Sequence, residues 1–133
     1  MSGVMTRVEF DNERLRVLKA GLGLDEAEAR RHLEREYPKS SDQATHELRR
    51  RGLDCSEWRI HRHCTLRPNL APPVVGGSRA WGKQQIDDFA EVLESQGCLM
   101  PSAIYRAELG ISWSQEQTIR RRIEAEKEAS HAR

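Results

Sequence analysis

Apolar residues recur along this chain at helical spacing, and glycine or proline interrupts them wherever the pattern fails. Leu15, Leu18 and Leu22 fall on one helical face, after a short extended start over Thr6 to Phe10. Gly21 and Gly23 break that first run. Asp25 is placed to cap a second helix, with Glu28 three residues on as in an Asp-led capping box. Ala29 and Leu33 form its thin apolar stripe, and Pro38 ends it. A third helix is predicted from Ser41, its N-cap, to Arg51, with Ala44 and Leu48 one turn apart. Gly52 stands where a left-handed residue closes a helix, so that Leu53 folds back on Leu48 in a Schellman stop.

Ser56 is a cap for the next helix, and Cys55 and Ile60 are spaced as a hydrophobic staple. Two helices joined by the short turn Gly52-Leu53-Asp54-Cys55 make a helix-turn-helix pattern. Pro68, Pro72 and Pro73 then forbid continuous helix. The segment 73–81 reads as a β-hairpin turning at Gly76-Gly77, which permit the positive φ of a tight turn. Helix returns from Lys83 to Gln96, with Ile86, Phe89, Ala90 and Leu93 on one face and Gly97 as the stop. Pro101 opens a further helix to about Leu109, ended by Gly110. Ser112 or Ser114 caps a last one carrying Ile119 and Ile123, whose charged tail from Glu124 onward is expected to fray. The segment 110–114 faintly repeats 52–56, as two helix-turn-helix corners would.

Composition sharpens this outline. Of 133 residues, 37% are apolar and 32% charged, which points to a small core with long solvated helical faces. The net charge of +1 is unevenly spread. Residues 44–83 carry 8 basic and 3 acidic side chains, while 1–43 and 84–133 are each net acidic. A basic middle suggests a local anion-facing surface rather than a polycation. Three cysteines, no signal-peptide pattern and no membrane-length apolar run lead to the expectation of a cytoplasmic protein with reduced thiols.

The densest chemistry lies in Gly52 to Cys64, GLDCSEWRIHRHC. Cys55, His61, His63 and Cys64 are zinc-ligand types, but their spacing argues against a site. His61 and His63 point to nearly opposite sides of a helix, Cys55 precedes it, and no second ligand pair follows. His61 and Cys64 also share the side of Ile60, which belongs to the core. The bland reading makes Cys55 and Cys64 small buried hydrophobes. Thiol catalysis through Cys64 lacks an orienting carboxylate or an oxyanion element nearby, so no enzyme is expected. The third reading is a recognition helix. At about 100° per residue, Trp58, Arg59 and Arg62 gather opposite Ile60 and Cys64, with Thr65 at their edge. Arginine offers the fork that suits guanine or phosphate. Three placements stand open for Trp58: stacked on Arg62, laid against a sugar-phosphate backbone, or folded into the core. The run Arg49-Arg50-Arg51 is either a solvated helix end or a phosphate clamp, with at least two of the three expected in solvent.

Helix, Gly turn, helix, Pro-rich link, hairpin and helix together resemble the winged helix-turn-helix of the MerR superfamily, especially its small excisionase-like members. The residues that carry the likeness are Ala44-x3-Leu48-x3-Gly52, Ser56-x3-Ile60, the segment 73–81 with Gly76, Gly77, Arg79 and Trp81, and Ile86-x2-Phe89-x3-Leu93. The resemblance covers about residues 41–96. It implies a mainly α fold in which a winged helix-turn-helix domain (41–97) stands between N-terminal (1–40) and C-terminal (98–133) helical extensions. It also implies duplex DNA binding, with the helix from Ser56 in the major groove and the hairpin as wing. Arg59 and Arg62 would read bases or grip phosphate, Arg50, Arg51, Arg67, Arg79 and Lys83 would hold the backbone, and Thr65 and Trp58 would assist. No cofactor, metal or membrane contact is expected. No effector-binding domain is apparent, which favours a small transcriptional regulator or architectural factor. The competing expectation is a helical protein–protein adaptor, or a homodimer, docking through the terminal helices; fold alone does not decide between these.

Overall fold

The computed structural model describes residues 4–131, and these form seven α-helices and one two-stranded antiparallel hairpin. The helices are α1 (Arg7–Leu22), α2 (Glu26–Glu34), α3 (Ser41–Arg50), α4 (Glu57–Leu66), α5 (Lys83–Ser95), α6 (Ser102–Leu109) and α7 (Trp113–His131). Strands β1 (Val74–Val75) and β2 (Ser78–Arg79) lie between α4 and α5. Among the described residues no helix is long and apolar enough to cross a membrane.

Local signals explain most boundaries. Asp25 accepts from the Glu28 amide at 2.8 Å to start α2, and Ser56 accepts from the Arg59 amide at 3.2 Å to start α4. Helix α3 closes in a full Schellman motif. Gly52 takes φ 94°, its amide reaches Arg49 O at 3.0 Å, and the Leu53 amide reaches Leu48 O at 3.0 Å. The same pair of bonds closes α5 through Gly97 and Cys98, and α6 through Gly110 and Ile111. Gly76 and Gly77, at φ 59° and 83°, form the hairpin turn between Val75 and Ser78.

Three expectations are corrected. The segment Thr6 to Phe10 is not extended: Thr6 caps α1 in a reciprocal box with Glu9, whose carboxylate accepts from the Thr6 amide at 3.1 Å. The cap of α3 is Ser40, boxed with Gln43, because the Ser41 hydroxyl instead accepts from the Trp81 indole at 3.0 Å. The hairpin ladder stops at Arg79, and Trp81 pairs with Lys39 through two 2.8 Å backbone bonds. Helix α7 runs past Glu124 to His131; residues 132 and 133 of that tail lie outside the described residues.

The main core gathers Ala44 and Leu48 of α3, Ile60 and Cys64 of α4, Trp81, and Ile86, Phe89, Ala90 and Leu93 of α5. Truncating one of the large members, such as Leu48→Ala, costs about 2–5 kcal/mol. The terminal segments are built into this body. Val4 enters the main core, and Met5 and Phe10 form a second cluster with Ile123 of α7. A third cluster joins α1 to α2 through Leu15, Ala29 and Leu33.

The corner between α3 and α4 is clamped from both sides. The Met5 amide donates to Arg51 O at 2.8 Å, and Arg51 Nε returns a 3.0 Å bond to Met5 O. On the other side the Asp54 amide donates to Cys98 O at 2.8 Å, and the Met100 amide to Gly52 O at 3.0 Å. The N-terminal segment and the α5–α6 connection therefore fix the angle at which α4 leaves α3.

Candidate functional site

Helix α4 carries its apolar side inward and its donors outward. Ile60, His63 and Cys64 are buried, while Trp58, His61, Arg62 and Thr65 are exposed. Trp58 is 62% exposed and is not part of the core. Its ring lies 5.4 Å from the Arg62 guanidinium carbon and 5.9 Å from that of Arg59. These cation–π contacts hold two long arginines over an aromatic plate at the surface. Arg59 also pairs with Asp54 at 3.4 Å. Arg67 follows as the C-cap, its amide donating to His63 O at 2.8 Å.

Trp58, Arg59, Arg62 and Arg67 line one side of a groove of about 530 Å³ between α4 and α5. Phe89, Val92 and Leu93 line the other, and Asp54, Gln96 and the α5–α6 connection complete it. Among the described residues Asp54 is the carboxylate in this lining, and Arg59 already engages it.

His63, which the sequence places nearly opposite His61, also lines the groove and is buried. It is 2% exposed, and neither ring nitrogen has a hydrogen-bond partner. The ring stacks on Phe89 at 4.3 Å between centroids and lies 6.4 Å from Trp81. Burial, then the nearby charge of Arg67, hold its pKa below the usual histidine value, with Asp88 opposing weakly. His61, expected on the core side, is exposed instead. Helical stepping carried the signal: His63 lies about 60° from Ile60, whereas His61 lies about 100° away on the other flank.

Several basic residues assigned to the backbone grip point elsewhere. Arg51 is buried and bonds Asp87 at 2.9 Å, so it joins α3 to α5 and does not reach solvent. Lys83 lies 2.5 Å from Glu34 and 3.9 Å from Asp11, facing α1 and α2. Arg50 lines two other surface depressions, one with Phe10, Arg14 and Glu36 and one with Met5, Val17 and Ile119. Arg79 donates to Pro72 O at 2.9 Å and braces the hairpin base. The expected set thus separates. Trp58, Arg59, Arg62, Thr65 and Arg67 belong to one helix and its cap; Arg51 and Lys83 are engaged on other faces, and Arg50 lines depressions elsewhere.

Among the described residues no group of three or more His, Cys, Asp or Glu is poised to hold a metal. The three cysteines are free thiols. Burial pushes Cys55 up to about 11 and raises Cys64, which keeps both protonated and poorly nucleophilic at neutral pH. No protein-family model matches the chain, and neither a curated protein nor a solved structure matches it significantly.

Proposed function

We propose that this protein is a non-enzymatic binder of duplex DNA, a small regulator or architectural factor built on a winged helix-turn-helix. In this reading α4 enters the major groove and the 74–79 hairpin is the wing. One observation carries it: the outer face of α4 presents Arg59 and Arg62 braced on an exposed Trp58, while the inner face is anchored in the core. An apolar inner side and an outer row of long planar donors are what a groove-reading helix needs. The clamped corner at Gly52 supports it further, since a helix that reads bases must be held at a fixed angle. The interface proposed is Trp58, Arg59, Arg62, Thr65 and Arg67, with the exposed hairpin beside it; Arg50, Arg51 and Lys83 are left to the fold.

The test is a fluorescence-anisotropy titration with mixed-sequence duplex at low and moderate salt. Affinity that falls steeply as salt rises is expected from phosphate contacts. Absence of binding at low salt sinks the proposal. A protein–protein adaptor is the second reading, favoured by the exposed Val8, Val17 and Leu22 of α1 and Trp113 of α7. Its contacts would be nearly indifferent to salt.

A further inference from the structure

We propose that Asp54 is a positioning residue, which holds Arg59 for a guanine in the major groove and so sets a base preference for α4. This role rests on the duplex-binding reading and deepens it, because it separates base contact from phosphate contact within one surface.

Arg59 is held at two points. Its Nη2 donates to Asp54 Oδ2 at 3.4 Å, and its guanidinium carbon lies 5.9 Å from the Trp58 ring. A free surface arginine turns among many rotamers and pairs with any phosphate it reaches. The O6 and N7 of guanine need a planar fork presented in one orientation. Asp54 engages one side of the guanidinium and leaves the rest of the fork for that acceptor pair. Asp54 is itself fixed. Its amide donates to Cys98 O at 2.8 Å, beside the bridge between Leu53 and Leu99, so its backbone is tied to the α5–α6 connection. Arg59 is the third residue of α4 after the Ser56 cap. The first turn of a recognition helix is where side chains meet base edges. Charge gives the independent argument. Among the described residues Asp54 is the carboxylate in the lining where Arg59, Arg62 and Arg67 gather. A carboxylate there repels phosphate and weakens binding to duplex of any sequence. The pair is partly exposed and adds little to stability. What the carboxylate supplies is discrimination: it disfavours phosphate while orienting Arg59 for a base.

The test selects sites from a randomised duplex pool at low salt with the full chain, its Asp54→Ala variant and its Arg59→Lys variant. Affinity for unselected duplex and thermal melts are measured on each. The expected result is a guanine fixed by the wild type and lost in both variants. Asp54→Ala should lose that preference by about tenfold or more while binding unselected duplex more tightly and with a steeper salt dependence. Replacing the guanine by 7-deazaguanine, which lacks N7, should weaken the wild type by about tenfold and leave Asp54→Ala unchanged. An Arg59-dependent guanine that survives Asp54→Ala overturns the proposal and leaves duplex binding standing. Selection of no Arg59-dependent guanine does the same. An equal fall in selected and unselected binding, with a lowered melting temperature, makes Asp54 a structural residue and overturns the proposal as well. Enrichment of no duplex at low salt removes both the proposal and the duplex-binding reading.

Discussion

Arg7 Nη2 lies 2.8 Å from Glu47 Oε2, an ion pair across 40 residues that ties the first helix to the helix-turn-helix. It is a close charge contact rather than an aligned hydrogen bond, since Glu47 Oε2 has no partner of that geometry. Glu47 Oε1 accepts from Tyr37 at 2.5 Å and from Lys39 at 2.8 Å. Arg7 and Arg51 both reach on to Asp87 of α5. The Glu47 side chain has no exposure, so its charge rests on these neighbours. Removing it leaves Lys39 without a carboxylate and weakens the charge balance of Arg7 and Arg51, which keep Asp87. Glu47→Ala is expected to cost about 3–5 kcal/mol, read from urea unfolding. Arg7→Ala should cost less, because Lys39 and Tyr37 continue to satisfy the carboxylate.

The same carboxylate predicts a pH dependence. Burial would raise its pKa, but Arg7 and Lys39 outweigh burial and hold it below the ordinary 4.5. A depressed carboxyl contributes stability above its unfolded value and loses it as pH falls through the folded one. Asp11 acts oppositely: burial raises its pKa, so its penalty is relieved on acidification. Comparing wild type with Glu47→Gln separates them. Glu47→Gln should be less stable at neutral pH, and the two urea midpoints should converge as pH drops below about 4.5. A constant gap would exclude the linkage.

Arg62→Ala should weaken specific duplex binding by about 1–3 kcal/mol if Arg62 reads a base. Arg51→Ala should lower stability through the lost Asp87 contact while leaving the salt dependence of binding, measured on the folded fraction, unchanged. Equal loss of affinity in the two variants would mean that the α4 surface is not the interface.

Gly52→Ala forces a Cβ onto a residue at φ 94°. Thermal melts should show a loss of about 1–2 kcal/mol. A neutral result would show that the corner can relax despite its clamps.

His63→Phe keeps an aromatic ring against Phe89 and removes two buried nitrogens without partners. Exchange of unsatisfied polar atoms for apolar ones of similar shape is neutral or stabilising. The melting temperature should hold or rise. A clear fall would point to an ordered water bonded to the imidazole.

The sequence by itself determined the features that close within a few residues: the Asp25 and Ser56 caps, the Schellman stop at Gly52, the Gly76-Gly77 turn and the apolar face of α5. Their partners lie three to five positions away, so local spacing suffices. It failed locally where two neighbours competed. Ser40 and Ser41 are equal as caps until Trp81, 40 residues on, takes the Ser41 hydroxyl. The Thr6 to Phe10 run read as extended although Thr6 and Glu9 already held the spacing of a capping box. Only the tertiary structure decided where the charges go. Asp87 draws Arg51 inward from 36 positions away, and Lys83 is turned toward Glu34 from 49. Arg59 and Arg62 stay at the surface on Trp58. An arginine is the same donor in either place; whether a carboxylate meets it depends on which helices pack together, and helical spacing within one segment does not carry that information.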